Sequence, residues 1–350
     1  MTNNTINKVT VPVSILDVSP IVEGGTIAQS LHNTIDLAQH AEKWGYHRFW
    51  LAEHHSMPNI ASSATSVVIA HVASQTNKIR VGSGGIMLPN HSPLVIAEQF
   101  GTLDAFHPGR IDLGLGRAPG TDQVTATALR GARGSGGHDF PEQLELLRTY
   151  FDPSRQASPP KVRAFPGEGT NIPIWLLGSS DFSAMLSAQQ GLPFSFAGHF
   201  SPNFTVPAMN LYRNNFTASE DLQAPYAMAA VNVIAADTDE QAEYLATSMK
   251  QLFVGIFRNA RQKLQPPVDS LDHLLTPQEK ILLDQQLGSS IIGSKATVAE
   301  KLQQYIDATK ADEIMIASYI YDHDARLRSY EIIGQLIDEA NTSGLGQFPA

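Results

Sequence analysis

The chain has 350 residues, 42% hydrophobic and 17% charged, a balance that supplies a large core and excludes global disorder. A formal net charge of −10, with no run of Lys or Arg, excludes the electrostatic footprint of a nucleic-acid or anionic-membrane binder. The absence of cysteine excludes disulfides, thiolate metal sites and thiol catalysis.

An apolar run from Val11 to Ile21 precedes a helical pattern from Ile27 to Trp44, with Leu31, Ile35, Ala38 and Ala41 at near-helical spacing. The same beat repeats with strands at Arg48–Ala52, Ile79–Leu88 and Ile111–Leu115, and with helices at Ser63–Ser74 and Leu94–Phe106. After Gly116 the periodicity stops. Ala118 to His138, rich in Gly, Ala, Arg and Thr and weakly helical only at Val124–Leu129, is expected to be a long loop at a barrel mouth.

A helix at Pro141–Tyr150 and a proline-rich connector, Pro153–Pro166, lead to a strand at Ile174–Leu177. Then come a helix at Asp181–Gln190, a strand at Phe194–Ala197, a helix at Val206–Asn215 and a strand at Ala227–Ala235. A long helix follows at Asp239–Phe257, with Asp237 to Asp239 placed to cap it. Arg258 to Lys295, carrying Pro266, Pro267, Pro277 and Gly288, breaks the pattern, mixes short helical pieces with polar turns and is expected to be a mobile segment. A helix at Val298–Ala308, a strand at Glu313–Ser318 and a helix at Asp324–Ala340 close the chain.

The strands are apolar without strict alternation, as in parallel sheets covered on the outer face. Doubly wound open sheets usually hold about five to seven strands, so eight strands favour closure. The expectation is a single α/β domain over residues 1–350, a (β/α)₈ TIM barrel with an insertion after strand 4 and a mobile segment between helix 7 and strand 8. Met1 to Thr10 is polar and no apolar run approaches the roughly 18 residues of a membrane span, so a cytoplasmic protein is expected.

In such a barrel the chemistry sits where the strands end. Strand two ends in Glu53-His54-His55, strand three in Gly82-Ser83-Gly84-Gly85, strand four in Gly114-Leu115-Gly116-Arg117 and strand five in Gly178-Ser179-Ser180. The last of these precedes a helix, so its N–H groups and hydroxyls would face an anion, and Arg117 could add a forked contact to a phosphate. The alternative is that the serines merely cap the helix and the arginine pairs with a surface carboxylate. Gly84-Gly85 removes two Cβ atoms, which admits a flat ring or marks a β-bulge.

His54 and His55 point in opposite directions on extended backbone, and His54 is the candidate for proton handling. No metal site is expected, since there is no HExxH and adjacent histidines on a strand cannot easily chelate one ion. Gly114-Leu115-Gly116 fails as a dinucleotide fingerprint because Pro119 stands where the third glycine belongs. A Schiff-base aldolase is disfavoured because the strand-end motifs carry no lysine.

Trp50-Leu51-Ala52-Glu53-His54-His55, then Val81-Gly82-Ser83-Gly84-Gly85-Ile86-Met87-Leu88-Pro89 with Pro93, then Phe106-His107-Pro108-Gly109-Arg110 and Gly114-Leu115-Gly116-Arg117, resemble the bacterial luciferase-like monooxygenases in order and spacing. Ile174 to Ser180 and Gly293-Ser294 extend the likeness. The resemblance implies FMN, delivered reduced by a separate flavin reductase, with O₂ as co-substrate and one oxygen atom inserted into a small organic substrate. By position it implies His54 as the catalytic residue and Arg117 and Ser179 at the phosphate, in the same turn as Gly178 and Ser180. Gly84-Gly85 falls where the family often has a non-prolyl cis peptide beneath the flavin, and Arg258–Lys295 corresponds to the family's lid.

Gly116 stands where luciferase has a cysteine, and at Gly178 the luciferase glutamate is missing, which points to the non-luminescent single-gene members, commonly homodimeric. Two other readings stay open at this level: a deazaflavin (F420)-dependent oxidoreductase, and a flavin-binding protein without turnover.

Overall fold

The computed structural model describes residue 9 and residues 11–131, 137–156 and 161–342. Most of the polar stretch Met1–Thr10, and parts of the expected loop Ala118–His138 and connector Pro153–Pro166, lie outside the described residues.

Eight parallel strands close into a ring: β1 Val13–Asp17, β2 Arg48–Leu51, β3 Arg80–Met87, β4 Ile111–Gly116, β5 Ile174–Gly178, β6 Phe194–Phe196, β7 Ala227–Ala236 and, returning to β1, β9 Glu313–Ala317. The helices α1 Ile27–Lys43, α2 Thr65–Ser74, α3 Pro93–Phe106, α5 Phe140–Phe151, α6 Asp181–Gln190, α7 Thr205–Asn214, α8 Asp239–Phe257, α10 Lys295–Thr309 and α11 His323–Thr342 lie between successive strands or after the last. The expected (β/α)₈ architecture is therefore present.

Two expectations need correction. The stretch after β4 carries a full helix, α4 Gln123–Arg130, because Asp122 accepts a capping bond from the Thr125 N–H. The segment Arg258–Lys295 holds α9 Pro277–Leu287, started by a capping box between Thr276 and Glu279, and a ninth strand, β8 Ile291–Ser294, paired to the far end of β7 outside the closed ring. β8 is only four residues long and ends in Gly-Ser, so it gives little strand signal in sequence.

Why the strands read as continuous apolar runs is plain from the two cores. Ile15, Phe49, Leu176, Ala229 and Ile314 face outward and pack against helix residues such as Leu37, Ile69, Ile96, Leu302 and Ile333. Their chain neighbours Leu16, Trp50, Trp175, Ala230 and Met315 face inward and fill the barrel. Both faces are buried, so the period of two survives as direction without a polar partner in the sequence. Each buried Leu, Ile, Phe or Met among them contributes roughly 1.5–3 kcal/mol.

The barrel's N-terminal end is plugged by charge. The Arg48 guanidinium bonds Asp112 at 2.9 Å and Glu313 at 2.9 Å, lies 4.9 Å from the Trp175 ring centroid, and Arg80 reaches Asp112 at 2.6 Å. The Trp50 indole N–H and the Tyr226 hydroxyl donate to the same two carboxylates. Burial alone would raise the Asp112 carboxyl, but Arg48 and Arg80 hold it below the usual range. The strand-end residues singled out in the sequence lie at the opposite, C-terminal rim.

Candidate functional site

At the rim a cavity of about 320 Å³ is lined by His54 from β2, Gly84 and Gly85 from β3, Arg117 after β4, Gly178, Ser179 and Ser180 after β5, and His199 after β6. A second chamber of about 290 Å³ adjoins it, walled by Met57, Ile60, Leu252 and Phe253 and rimmed by Asn259, Arg261 and Gln262. Val18, His54, Phe200 and Tyr319 line both, so His54 stands at the junction.

His54 and His55 do diverge. The His54 Nδ1 lies 3.1 Å from the Gly120 carbonyl oxygen, which the His55 backbone N–H also bonds at 3.2 Å. Gly120 has φ +65, and a Cβ there would lie 2.7 Å from the Glu53 carbonyl oxygen, so the turn that presents this acceptor requires glycine. Burial lowers the His54 imidazole from its ordinary value, the Gly120 bond opposing it. A neutral ring that gives its Nδ1 proton to Gly120 leaves the Nε2 lone pair as an acceptor.

His55 turns to the Glu53 carboxylate instead, at 2.7 Å, which His91 meets at 2.9 Å and the Met87 N–H at 3.0 Å. Burial would raise the Glu53 carboxyl, but these hydrogen bonds hold it down at about 2. Glu53, His55 and His91 have the residue types of a metal site. The Asn90 amide also donates to this carboxylate, whose acceptor positions are thereby filled, and the cluster reads as a knot that ties the end of β2 to the end of β3.

The Gly84-Gly85 peptide bond is cis, and the β3–β4 register shifts between Ser83 and Ile86. The reason for glycine differs from the expected open space: a Cβ on Gly84 would meet Leu16 Cδ1 at 2.6 Å, and one on Gly85 the Gly114 carbonyl oxygen at 2.7 Å. The barrel's own packing forbids side chains there, and the two backbones still reach the cavity wall.

Ser180 occupies the N-cap position of α6, yet its side chain makes no capping bond. The Arg117 guanidinium lies 4.0 Å over the Phe182 ring and, among the described residues, has no carboxylate in ion-pair range. The Ser180 side chain therefore does not cap α6. Arg117, Ser179, Ser180 and the start of α6 line the cavity together, residue types that suit a phosphate monoester, although Asp181 in the first turn opposes it.

Two site residues escaped the sequence reading, His199 and Tyr319. Both immediately follow barrel strands, in Ala197-Gly198-His199 and Ser318-Tyr319, so the strand-end criterion extended to strands six and eight would have found them. His199 is only 4% exposed, its ring is 4.2 Å from that of Phe200, and neither ring nitrogen has a partner among the described residues.

The model of the family described as luciferase-like monooxygenase matches residues 13–311. The uncharacterized protein YvbT of Bacillus subtilis is 58% identical, over 93% of this chain and 96% of its own length. A luciferase-like monooxygenase of Escherichia coli K12 is 50% identical, over 94% of this chain and 98% of its own. Among solved structures, apo-MsnO8 superposes with a TM-score of 0.82 at 34% identity, covering 94% of this chain and 98% of that one.

Proposed function

The chain belongs to the luciferase-like monooxygenase family, and on that basis we propose that it oxygenates a small organic substrate with reduced FMN and O₂. The observation that carries the reading is that Arg117, Ser179, Ser180, Gly84, Gly85 and His54 line one groove, which opens at His54 into an apolar chamber. The flavin, when bound, supplies the two electrons that activate O₂.

On this reading Arg117, Ser179 and Ser180 bind the phosphate, with Gly178 bringing α6 close, and the Gly84-Gly85 backbone supports the ring system. His54 holds its Nδ1 proton on Gly120 and takes or returns a proton at Nε2. Met57, Ile60, Leu252 and Phe253 dehydrate the substrate and keep water from the reacting atoms. Arg261, from the segment that begins at Arg258, pairs with Asp122 and donates to the Ser56 carbonyl at 2.8 Å, so this segment acts as a lid.

A groove of about 320 Å³ beside a chamber of about 290 Å³ leaves little room for a nicotinamide dinucleotide as well as a flavin, so the electrons arrive with the flavin from a separate reductase. Exposed Val67, Val95 and Phe106 on the adjacent helices α2 and α3 suit a homodimer contact. Among the described residues no helix is long and apolar enough to cross a membrane. A cytoplasmic location is part of the proposal.

The test is anaerobic titration with reduced FMN followed by air. We expect one flavin per chain and reoxidation slower than that of free reduced FMN, with His54→Ala altering the rate while flavin stays bound. Reoxidation at the free rate, or reduction of a deazaflavin with no O₂ consumed, refutes the proposal. Unchanged reoxidation in His54→Ala points instead to flavin binding without turnover.

A further inference from the structure

The chamber beside the groove restricts its own occupant. Its volume of about 290 Å³ lies at the lower edge of the roughly 300–1,000 Å³ usual for ligand pockets, and Met57, Ile60, Leu252 and Phe253 give it an apolar wall. A small body that sheds water fits there.

Two charged side chains line the chamber, Asp122 and Arg261, and they satisfy one another. Arg261 also donates to the Ser56 carbonyl at 2.8 Å and to the Ser56 hydroxyl at 2.9 Å. The Asp122 carboxylate also accepts from the Thr125 N–H at 2.9 Å and the Thr125 hydroxyl at 3.2 Å. The pair is neutral as a unit. A charged occupant of either sign would have to break it or lie unpaired against the apolar wall, and both are unfavourable.

Val18, His54, Phe200 and Tyr319 line both cavities, and of these only His54 and Tyr319 are polar. The Tyr319 ring stands edge-on to Phe253 with centroids 6.5 Å apart, and the residue is 6% exposed. Its hydroxyl makes no hydrogen bond among the described residues. Ser318 Oγ and Asn232 Oδ1 also lack partners but are sealed from any surface, whereas the Tyr319 hydroxyl keeps accessible surface in a residue that lines groove and chamber. Burial pushes its pKa well above the ordinary tyrosine value, so it stays protonated and can donate.

We propose that the chamber takes a small uncharged molecule with an aliphatic or aromatic body and one hydrogen-bond acceptor, a carbonyl, ether or thioether oxygen or sulfur, which accepts the Tyr319 O–H at the junction. Tyr319 is then a specificity-determining residue. Calling the occupant a substrate rests on the oxygenase reading; the preference for an uncharged acceptor does not.

The experiment is calorimetric titration of the full chain, with and without oxidised FMN, using acetophenone, toluene, benzoate and benzylammonium as probes of one body and differing polarity. Acetophenone should bind at least about tenfold more tightly than either ion. Tyr319→Phe should weaken acetophenone about fivefold for one neutral hydrogen bond, and leave toluene and FMN unchanged. Because the hydroxyl has no protein partner, this variant should fold as the wild type does, and its unchanged FMN affinity checks that. No binding of acetophenone up to its solubility, or an unchanged acetophenone affinity in Tyr319→Phe, overturns the proposal. So does a loss of FMN affinity in that variant, which would assign the hydroxyl to the cofactor. Benzoate binding as tight as that of acetophenone and lost in Arg261→Gln overturns it too, by making Arg261 an anion receptor. A wild type that binds acetophenone with this ranking but no FMN overturns instead the oxygenase reading.

Discussion

The imidazole of His54 and the carbonyl of Gly120, 66 residues apart, are joined by a contact of 3.1 Å that settles which ring nitrogen is free. The Nδ1 proton is directed at Gly120, which leaves Nε2 as the ring's acceptor in a residue that lines both groove and chamber.

The pH profile of flavin reoxidation should carry this signature. Because burial lowers the His54 imidazole, the acidic limb is expected below the free-imidazole value of about 6.5. Gly120→Ala forces a side chain into the left-handed region, at a cost of about 1–2 kcal/mol. It should also move the limb lower still, since the Gly120 carbonyl favours the charged ring. An acidic limb at or above 6.5 contradicts the burial-lowered His54 imidazole as the titrating group.

Acid should weaken the fold through His199. Its folded value of about 3 lies below the unfolded one, so as pH falls below about 6.5 the unfolded chain gains a proton that the folded chain refuses. No stability is lost to this group above pH 6.5, and the loss saturates only near the folded value. Between pH 6.5 and 5 the loss should be about 2 kcal/mol, and His199→Asn should be spared it. Urea unfolding at the two pH values measures the difference, and equal losses in both proteins would refute it.

Arg48→Met leaves Asp112 and Glu313 facing each other at the sealed end without their shared cation. Breaking a buried ion network from one side costs about 3–5 kcal/mol. Denaturant titration should show that loss while FMN affinity, read at the other end of the barrel, stays within about twofold for the folded fraction.

Arg261 behaves differently, being 46% exposed at its side chain. A surface pair of this kind contributes about 0–1 kcal/mol, so Arg261→Ala should barely move the melting temperature. What it should change is local opening: faster amide exchange over residues 258–276, and a raised KM with kcat little altered. A Tm loss above about 4 °C would instead make Arg261 a structural residue.

Much of the fold was legible because the strands are short apolar runs set between helices with clear caps, as at Thr26 and Thr238. The site was partly legible because strand ends in a barrel converge, so His54, Arg117 and Ser179 can be named before any coordinates exist. β8 and α4 were harder: β8 is stabilised by pairing with β7, and α4 depends on the single cap at Asp122.

Local sequence determined the alternation of elements and therefore the barrel, since periodicity and capping act over a few residues. The tertiary structure alone decided that, among the described residues, Arg117 finds no carboxylate and His199 is buried without a partner, and that Glu53 is claimed by His55 and His91. The physical reason is that hydrogen-bond satisfaction and desolvation depend on what closes around a group from distant parts of the chain, and no window of sequence contains that information.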